Sequence, residues 1–376
     1  MNRSLQMVDL RSQYLKIKPE VDEAIQRVID ESSFINGPAV EVFATNLAEY
    51  LGAKYVIPCA NGTDALQIAL MALGLQPGDE VIVPCFTYVA TAEVIALLQL
   101  KPVLTDVDPK TFNITAELIE KVITSKTRAI VPVHLFGQSA DIEPIMALAK
   151  KYNLYVVEDT AQAIGADYSF STGEVRKCGT IGHIGTTSFF PSKNLGCYGD
   201  GGALVTDDAD FAGKIKMIAN HGQSRKYYHE VIGVNSRLDT IQAAILNVKL
   251  RELDKYAASR SDVAAFYDTQ LGGIDWLEIP EREKKSTHVF HQYTLKLKQQ
   301  TDRNQLKNYL ESKGIPSMVY YPVPLHLQEA FKTPAKGVGD YPITESLCTR
   351  VLSLPIHTEM GEEEKEYITS SIKSFK

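Results

Sequence analysis

Between about residues 54 and 207, short apolar runs alternate with longer stretches that carry apolar residues at helical spacing. The apolar runs are typical of buried strands. They are KYVIPC, EVIVP, PVLTDV, RAIVPVH and LYVVED, and the first four are followed by helices predicted to begin near Thr63, Tyr88, Thr115 and Asp141. Strands and helices that alternate in this order join by right-handed crossovers and form a mostly parallel sheet covered on both faces. The pattern therefore predicts the α/β fold class.

The pattern changes after residue 235. Long helical stretches are expected at residues 238–257 and 260–271, followed by the strand-like HQYTLKL and the helical DRNQLKNYLESKG. We therefore expect a large α/β domain over residues 1–250 and a smaller C-terminal α+β domain with antiparallel strands over residues 251–376. The boundary falls within a helical pattern, so a continuous helix is a candidate bridge between the two domains.

Composition excludes several classes of protein. A net charge of −7 and a pI near 5.7 leave no basic stripe, so nucleic acid is disfavoured as a partner. The N-terminus lacks a signal-peptide core and no run of about 18 apolar residues occurs, so we expect a cytoplasmic protein with no membrane partner. Five cysteines without CxxC spacing and eight scattered histidines suggest neither a disulfide framework nor a metal site.

A lysine lies between an apolar run and a glycine-rich turn in TTSFFPSKNLGCYGDGGALVTDD. Taken alone, Lys193 is more often a solvated loop lysine. Ser188 precedes it by five residues, and four nearby glycines let the backbone pass close to a bulky group. A lysine withdrawn from water loses proton affinity and becomes a nucleophile for carbonyls, so Lys193 is a candidate to bind a carbonyl cofactor.

An acid follows the strongly apolar run in LYVVEDTAQAIGA. Asp159 could cap a following helix, which is common. Alternatively, its carboxylate could hold the pyridine nitrogen of pyridoxal phosphate protonated, with Gln162 hydrogen-bonding the phenolic oxygen of the ring. Spacing alone leaves the two interpretations equal.

A third motif, CANGTDALQIAL, places a Gly-Thr pair where a strand gives way to a helix. The amides at a helix N-terminus bind phosphate, so Gly62, Thr63 and Asp64 are phosphate candidates, although NGTD could equally be a turn with a helix cap. Tyr88 in PCFTYVATAE could stack on a flat cofactor, or it could be ordinary core. The lysine, the acid, the phosphate cradle and the aromatic ring each follow a different predicted strand. Ligands collect at the carboxyl ends of such strands, so their conjunction is far more specific than any one motif.

These motifs resemble the DegT/StrS family of sugar-nucleotide aminotransferases, a branch of the fold-type I enzymes that use pyridoxal phosphate. The similarity runs nearly end to end, and it is closest to the branch that aminates C3 of a UDP-linked N-acetylhexosaminuronic acid for O-antigen and lipopolysaccharide synthesis. The resemblance implies a seven-stranded sheet, L-glutamate as amino donor and a homodimer with shared active sites. It is carried by VDLRSQY, FINGP, ANGTDAL, GDEVIVPCFTYVAT, PVHLFGQSAD, EDTAQAIGA, TSFFPSKNLGCYGDGGA, HGQSRKYYHEVIGVNSRLDTIQAA and YYPVPLHLQ.

The resemblance also implies residue roles toward the cofactor. Lys193 would be the lysine that binds it covalently and moves the proton, and Asp159 would pair with its ring nitrogen. Gln162 would contact the phenolic oxygen, Tyr88 would stack on the ring, and Ser188 would hold the phosphate.

The remaining implied contacts include some from a second subunit. Gly62, Thr63 and Asp64 would contact the phosphate in their own chain. Asn235 would reach the same phosphate from the neighbouring subunit. Arg237, also supplied across the interface, would meet an acidic substrate.

Two positions depart from the relatives' pattern. Ile164 stands where many relatives have histidine, and Tyr320-Tyr321-Pro322 stands where the uronate enzymes read HYP, at an expected substrate contact. A dTDP-3-keto-6-deoxyhexose aminotransferase is therefore an alternative, and a non-catalytic regulator that binds pyridoxal phosphate is a remote one. Sugar dehydratases of the family replace the lysine by histidine, and the presence of Lys193 argues against that branch.

Overall fold

The structure is a computed structural model that describes residues 5–299 and 301–375. The helices in these ranges are α1 (Leu10–Asp30), α2 (Pro38–Leu51), α3 (Gly62–Ala72), α4 (Ala90–Leu97), α5 (Ala116–Glu120), α6 (Ile142–Tyr152), α7 (Ala209–Ala219), α8 (Thr240–Leu250), α9 (Leu253–Leu271), α10 (Arg303–Ser312), α11 (Pro342–Arg350) and α12 (Glu362–Lys373). Three 3-10 turns lie at Leu135–Gly137, Leu325–Leu327 and Glu329–Phe331.

The strands in the same ranges are β1 (Tyr55–Cys59), β2 (Glu80–Pro84), β3 (Lys101–Thr105), β4 (Thr127–Ile130), β5 (Tyr155–Asp159), β6 (Asp167–Ser169), β7 (Val175–Lys177), β8 (Ile184–Ser188), β9 (Gly202–Thr206), β10 (Gln223–Arg225), β11 (Tyr228–His229), β12 (Leu277–Glu278), β13 (Tyr293–Leu297) and β14 (Val351–Leu354). Seven of them form one sheet in the order β1-β9-β8-β5-β4-β2-β3. The pairs from β8 to β3 are parallel, and β9 is antiparallel to both of its neighbours. The predicted α/β class and mostly parallel seven-stranded sheet are confirmed.

The sheet is buried on both faces because successive residues of a strand point to opposite sides. In β2, Val81 and Val83 pack into the hydrophobic cluster that contains α3, α4 and α7, while Ile82 packs into the cluster that contains α5 and α6. A continuous apolar run such as EVIVP therefore suits a central strand better than an alternating pattern would. With helices on both faces, the strand ends are left as the place for polar chemistry.

The C-terminal part forms its own hydrophobic cluster. Strands β12, β13 and β14 pair antiparallel, and their apolar side chains pack with α9, α10 and α12. Leu5 joins this cluster from the N-terminal end of the described chain. The two-domain division at residues 250 and 251 remains a prediction, and it coincides with the break between α8 and α9.

The helix boundaries predicted after residue 235 are wrong. The chain breaks between Leu250 and Leu253 instead of near residue 258, so no continuous helix crosses this position. Arg251 and Glu252 lie in the break. Neither residue type breaks helices, so the helical pattern of the sequence continues across the break and gives no sign of it. The break lets α8 pack against α1 and α2 while α9 contributes to the C-terminal cluster.

The described residues form neither a helix that is long and apolar enough to cross a bilayer nor a group of three potential metal ligands. All five cysteines are buried free thiols.

Candidate active site

A cavity of about 640 Å³ opens where several strands of the large sheet end. The residues after β2, β5 and β8 reach it, together with the N-terminal turn of α3 and a segment from the C-terminal part. Its lining is formed by Asn61, Gly62, Thr63, Leu66, Thr87, Tyr88, Ala90, Thr91, Val133, Asp159, Ala161, Gln162, Ser188, Phe190, Ser192, Lys193, Asp200, His291, Gln292, Tyr320 and Tyr321.

Lys193 lies in the turn after β8, and its side chain enters this cavity. Its backbone N–H donates to the Phe190 carbonyl at 2.8 Å, which closes the turn. Burial lowers the pKa of Lys193 to about 8, although the nearby Asp159 carboxylate partly opposes the shift. About a tenth of the amine is therefore neutral and nucleophilic at pH 7, far more than for a solvated lysine.

Asp159 is the last residue of β5 and is buried. One carboxylate oxygen accepts from the Ala161 N–H at 3.1 Å, and the other accepts from the Thr91 hydroxyl at 2.9 Å. Burial raises the pKa of Asp159, and these two hydrogen bonds oppose the rise. Turns, not a helix, follow the strand, so Asp159 is not a helix cap. A buried acid of this kind is stabilised when a cation faces it.

Glu158, the residue before Asp159 in β5, stabilises the end of that strand through its hydrogen bonds. It is fully buried and accepts from His134 Nε2 at 2.9 Å and from the backbone of Gly179 at 2.9 Å and Ile181 at 2.7 Å. Burial raises the pKa of Glu158, but the His134 contact and the backbone N–H groups outweigh it and hold this pKa below its usual range. This network holds the strand end from which Asp159 projects.

The side-chain amide of Gln162 has a defined orientation. Its Oε1 accepts from the Phe136 backbone N–H at 2.7 Å, which can only donate, so Nε2 must be the donor of the pair. Nε2 donates to the Tyr321 hydroxyl at 3.1 Å. Gln162 lines the cavity, so it can offer a donor to an oxygen of a bound ligand.

The N-terminus of α3 and the end of β8 form a close junction at the cavity wall. A Cβ atom on Gly62 would lie 2.7 Å from Ser188 Cβ, so only glycine allows this approach. Asn61 caps α3 by accepting from the Asp64 N–H at 2.8 Å, which leaves the amides of Gly62 and Thr63 at the open first turn. With the Ser188 hydroxyl beside them, these groups can bind an anion such as phosphate.

Three aromatic side chains form another part of the wall. Tyr88 is 57% exposed, so it is not a core residue, and its ring centroid lies 6.3 Å from that of Tyr321. Tyr320 and Tyr321 also line the cavity, and burial raises the pKa of both hydroxyls. They therefore act as neutral hydrogen-bonding groups at neutral pH.

Of the twelve residues singled out in the sequence, three do not line the cavity of their own chain: Asp64, Asn235 and Arg237. Asp64 contributes its backbone N–H to the cap of α3. Asn235 is exposed, and the adjacent Ser236 Oγ accepts from the Ala60 N–H at 3.0 Å, just before the cradle. Among the described lining residues, Lys193 is the only lysine or arginine.

Sequence reasoning missed several cavity residues. Thr91 lies one helical turn after Tyr88, and this spacing could have indicated that it shares the same wall. His291 and Gln292 lie in HQYTLKL, which the pattern marked only as a strand. They reach the cavity because the C-terminal part folds back over the strand ends, and no local signal indicates that.

The cavity fits pyridoxal phosphate. Its donor set combines a lysine of lowered pKa, a buried acid, an amide donor and an anion cradle that a single added Cβ would obstruct. The cofactor has one group for each of these protein groups: a carbonyl for the lysine, a ring nitrogen for the acid, a phenolic oxygen for the amide donor and a phosphate for the anion cradle.

Comparison with known proteins gives a consistent result. The family model described as the DegT/DnrJ/EryC1/StrS aminotransferase family matches residues 15–373. The chain is 47% identical to the UDP-2-acetamido-2-deoxy-3-oxo-D-glucuronate aminotransferase of Pseudomonas aeruginosa, over 94% of this chain and 95% of that one. It is 43% identical to the UDP-N-acetyl-3-dehydro-alpha-D-glucosamine 3-aminotransferase of Acidithiobacillus ferrooxidans, over 99% and 98% of the two chains. It is 46% identical, over 98% of both chains, to a protein of Geobacillus stearothermophilus named a pleiotropic regulatory protein.

Solved structures agree. The fold matches that of DesV from S. venezuelae in complex with a ketimine intermediate, with a TM-score of 0.94 and 38% identity over 99% of this chain and 98% of that one. It also matches NtdA from Bacillus subtilis with bound cofactor PMP, with a TM-score of 0.88 and 33% identity over 99% and 86% of the two chains.

Proposed function

Because the chain belongs to the DegT/DnrJ/EryC1/StrS aminotransferase family and is thus a pyridoxal-phosphate enzyme, we propose that it aminates a UDP-linked keto sugar. L-Glutamate is the amino donor, and the acceptor is C3 of a UDP-3-keto-N-acetylhexosaminuronic acid used for O-antigen or another surface polysaccharide. The 47% identity to the glucuronate enzyme over nearly the whole chain carries this proposal. The reaction takes place in the cytoplasm.

Pyridoxal phosphate, when bound, supplies a carbonyl that takes up the amino group and a ring that stabilises charge on the carbon losing its proton. Gly62, Thr63 and Ser188 would hold the phosphate. Asp159 would face the protonated ring nitrogen, and Gln162 would donate to the phenolic oxygen.

Tyr88 would pack against the cofactor ring, and Lys193 would perform the proton transfers. Its amine, with a pKa near 8, takes the proton from Cα of glutamate as a general base. In the second half of the cycle it delivers a proton to C3 of the sugar as a general acid. Tyr320 and Tyr321 offer neutral hydroxyls to the sugar.

A second copy of the chain completes the site in this proposal. A uronate carboxylate needs a cation, yet Lys193 is the only lysine or arginine in the described cavity lining. Arg237 of the neighbouring subunit would supply that cation, and Asn235 of that subunit would reach the phosphate. The support for this arrangement is that neither residue lines the cavity of its own chain.

The dimer proposal is tested by complementation. Lys193→Ala and Asn235→Ala proteins are assayed alone and after mixing under conditions that exchange subunits. A heterodimer contains one site with both natural residues, so activity should partly return. Two inactive proteins that stay inactive after proven exchange would show that Asn235 does not act across the interface.

A neutral acceptor is a second candidate. The relative from Acidithiobacillus ferrooxidans, 43% identical, is named for a keto sugar without a carboxylate, and Tyr320 and Tyr321 at the expected substrate contact keep neutral hydroxyls. The dTDP-3-keto-6-deoxyhexose expected as an alternative has less support, because both named sugar aminotransferases above act on UDP-linked sugars.

The acceptor is identified by assaying the purified enzyme with glutamate against four sugars. These are the UDP-3-keto uronate, its C6-alcohol and 6-deoxy counterparts, and a dTDP-3-keto-6-deoxyhexose. We expect a preference for the uronate, and Arg237→Lys should reduce that preference about tenfold because lysine lacks the planar fork of arginine. A wild-type preference for the C6-alcohol would support the second candidate, and a preference for the dTDP sugar would reject both.

A further inference from the structure

Several buried polar atoms in the segments around Lys193 and His291 have no hydrogen-bond partner in the protein. In the described residues, Asn194 Oδ1, Arg260 Nε and His291 Nδ1 have no such partner in the protein. All three side chains are at least nine-tenths buried. A buried polar atom left without a partner costs about 1–3 kcal/mol, so three together indicate a ligand that the chain does not supply.

The three atoms belong to one small region. Asn194 follows Lys193, and its Nδ2 donates to the Val289 carbonyl at 2.8 Å. Arg260 Nη1 donates to the next carbonyl, that of Phe290, at 3.1 Å. His291 is the following residue and lines the cavity. The side chains of Asn194 and Arg260 therefore bind consecutive backbone carbonyls, and His291 is the next residue of the same segment.

The chemistry of the three atoms selects a small neutral ligand. Arg260 Nε can only donate, Asn194 Oδ1 can only accept, and a neutral imidazole nitrogen can do either. Burial and the neighbouring cations Lys193 and Arg260 hold the pKa of His291 well below its usual range, so the ring stays neutral. An anion would meet the Asn194 oxygen, and a cation would meet the Arg260 guanidinium. A water molecule can accept from the one donor and donate to the two acceptors, and three hydrogen bonds are the usual number for a buried water.

We propose that Asn194, Arg260 and His291 form a water-binding site near Lys193 that stores the water exchanged during transamination. The half-reaction with glutamate consumes one water as 2-oxoglutarate leaves. The half-reaction with the keto sugar releases one water as the C3 oxygen is replaced by nitrogen, so the cycle balances. A bulky nucleotide sugar would displace solvent from the cavity, whereas these three atoms are buried away from solvent.

Tyr256 lies one helical turn before Arg260 on α9, and its hydroxyl is likewise buried without a hydrogen-bond partner in the described residues. This proposal rests on the aminotransferase reaction and is independent of which sugar is the acceptor. His291 is a positioning residue in it, because it acts through the water.

A high-resolution crystal structure of the holoenzyme tests the site directly. An ordered water within hydrogen-bond distance of at least two of the three atoms is the expected result. A bound ion at that place, or side chains that pair with one another instead, would overturn the proposal.

Variants at His291 test the role of the water. An asparagine amide lies close to the place of Nδ1, so His291→Asn should keep the water contact, whereas His291→Phe fills the space without it. We expect the phenylalanine variant to slow both half-reactions about tenfold in stopped-flow measurements, and the asparagine variant about threefold or less. Affinity for the cofactor, measured by titrating cofactor-free protein, should be alike in the two variants. Equal rates in the two variants would reject the proposed role of the water.

If the phenylalanine variant fails to fold, His291→Gln takes its place in the comparison, because a glutamine amide lies near the position of Nε2 instead of Nδ1.

Discussion

The charged, buried amine of Lys193 should lower the free energy of unfolding of the cofactor-free protein. Comparing wild type with Lys193→Met measures this cost. The pKa of Lys193 lies at about 8 instead of 10.5 because the cavity shields the amine from water. Each pH unit by which a pKa moves corresponds to about 1.4 kcal/mol, so charging the lysine costs the folded state about 3 kcal/mol. The side chain keeps some exposure, which reduces the expected cost to about 2 kcal/mol.

The sign of the pH dependence follows from the lowered pKa. Below pH 8 both the folded and the unfolded chain carry the charge, so the whole cost is present. Between pH 8 and 10.5 the unfolded chain binds more protons than the folded one, so wild-type stability rises relative to the variant. Above pH 10.5 both states are neutral and the difference disappears.

Urea unfolding of both proteins across this pH range is the assay. Lys193→Met should be more stable by about 2 kcal/mol at pH 7, with a gap that closes as the pH approaches 10.5. Lys150→Met, at an exposed position on α6, is the matched control and should show no such closing gap. A gap that does not change with pH, or a more stable wild type at pH 7, would refute the reasoning.

Three other changes have defined outcomes. Asp159→Asn should leave the thermal melting curve of the protein nearly unchanged but lower kcat/KM for transamination by about a hundredfold or more, equivalent to about 2.7 kcal/mol, because the neutral amide cannot stabilise a protonated ring nitrogen. Gly62→Ala should weaken cofactor binding about tenfold in a titration of cofactor-free protein, because its Cβ would lie 2.7 Å from Ser188 Cβ, whereas Gly213→Ala, with nothing within 4 Å, should bind normally. Gln162→Ala should lower the free energy of unfolding by about 1–3 kcal/mol in urea, since the buried Phe136 N–H loses its acceptor; unchanged stability would mean that water replaces it.

The sequence alone was enough to predict the fold class and the residues at the centre of the cavity. The apolar runs indicated the strands, because a strand buried on both faces must be apolar throughout. Parallel strands end at one edge of their sheet, so residues that follow different runs were expected to meet. Lys193, Asp159, Gln162, Ser188, Tyr88 and the Gly62-Thr63 pair do line one cavity.

Tertiary structure alone decided which partners surround that centre. The Thr91 hydroxyl on Asp159 and the Phe136 N–H on Gln162 join positions 68 and 26 residues apart, and no periodicity records such contacts. His291 reaches the cavity only because the C-terminal part folds over the strand ends. The break between α8 and α9 contains no glycine or proline that the sequence could have revealed. It arises because the two helices pack in different hydrophobic clusters. Local patterns determine what each element is, whereas the burial of side chains against distant elements determines which groups meet and how their proton affinities change.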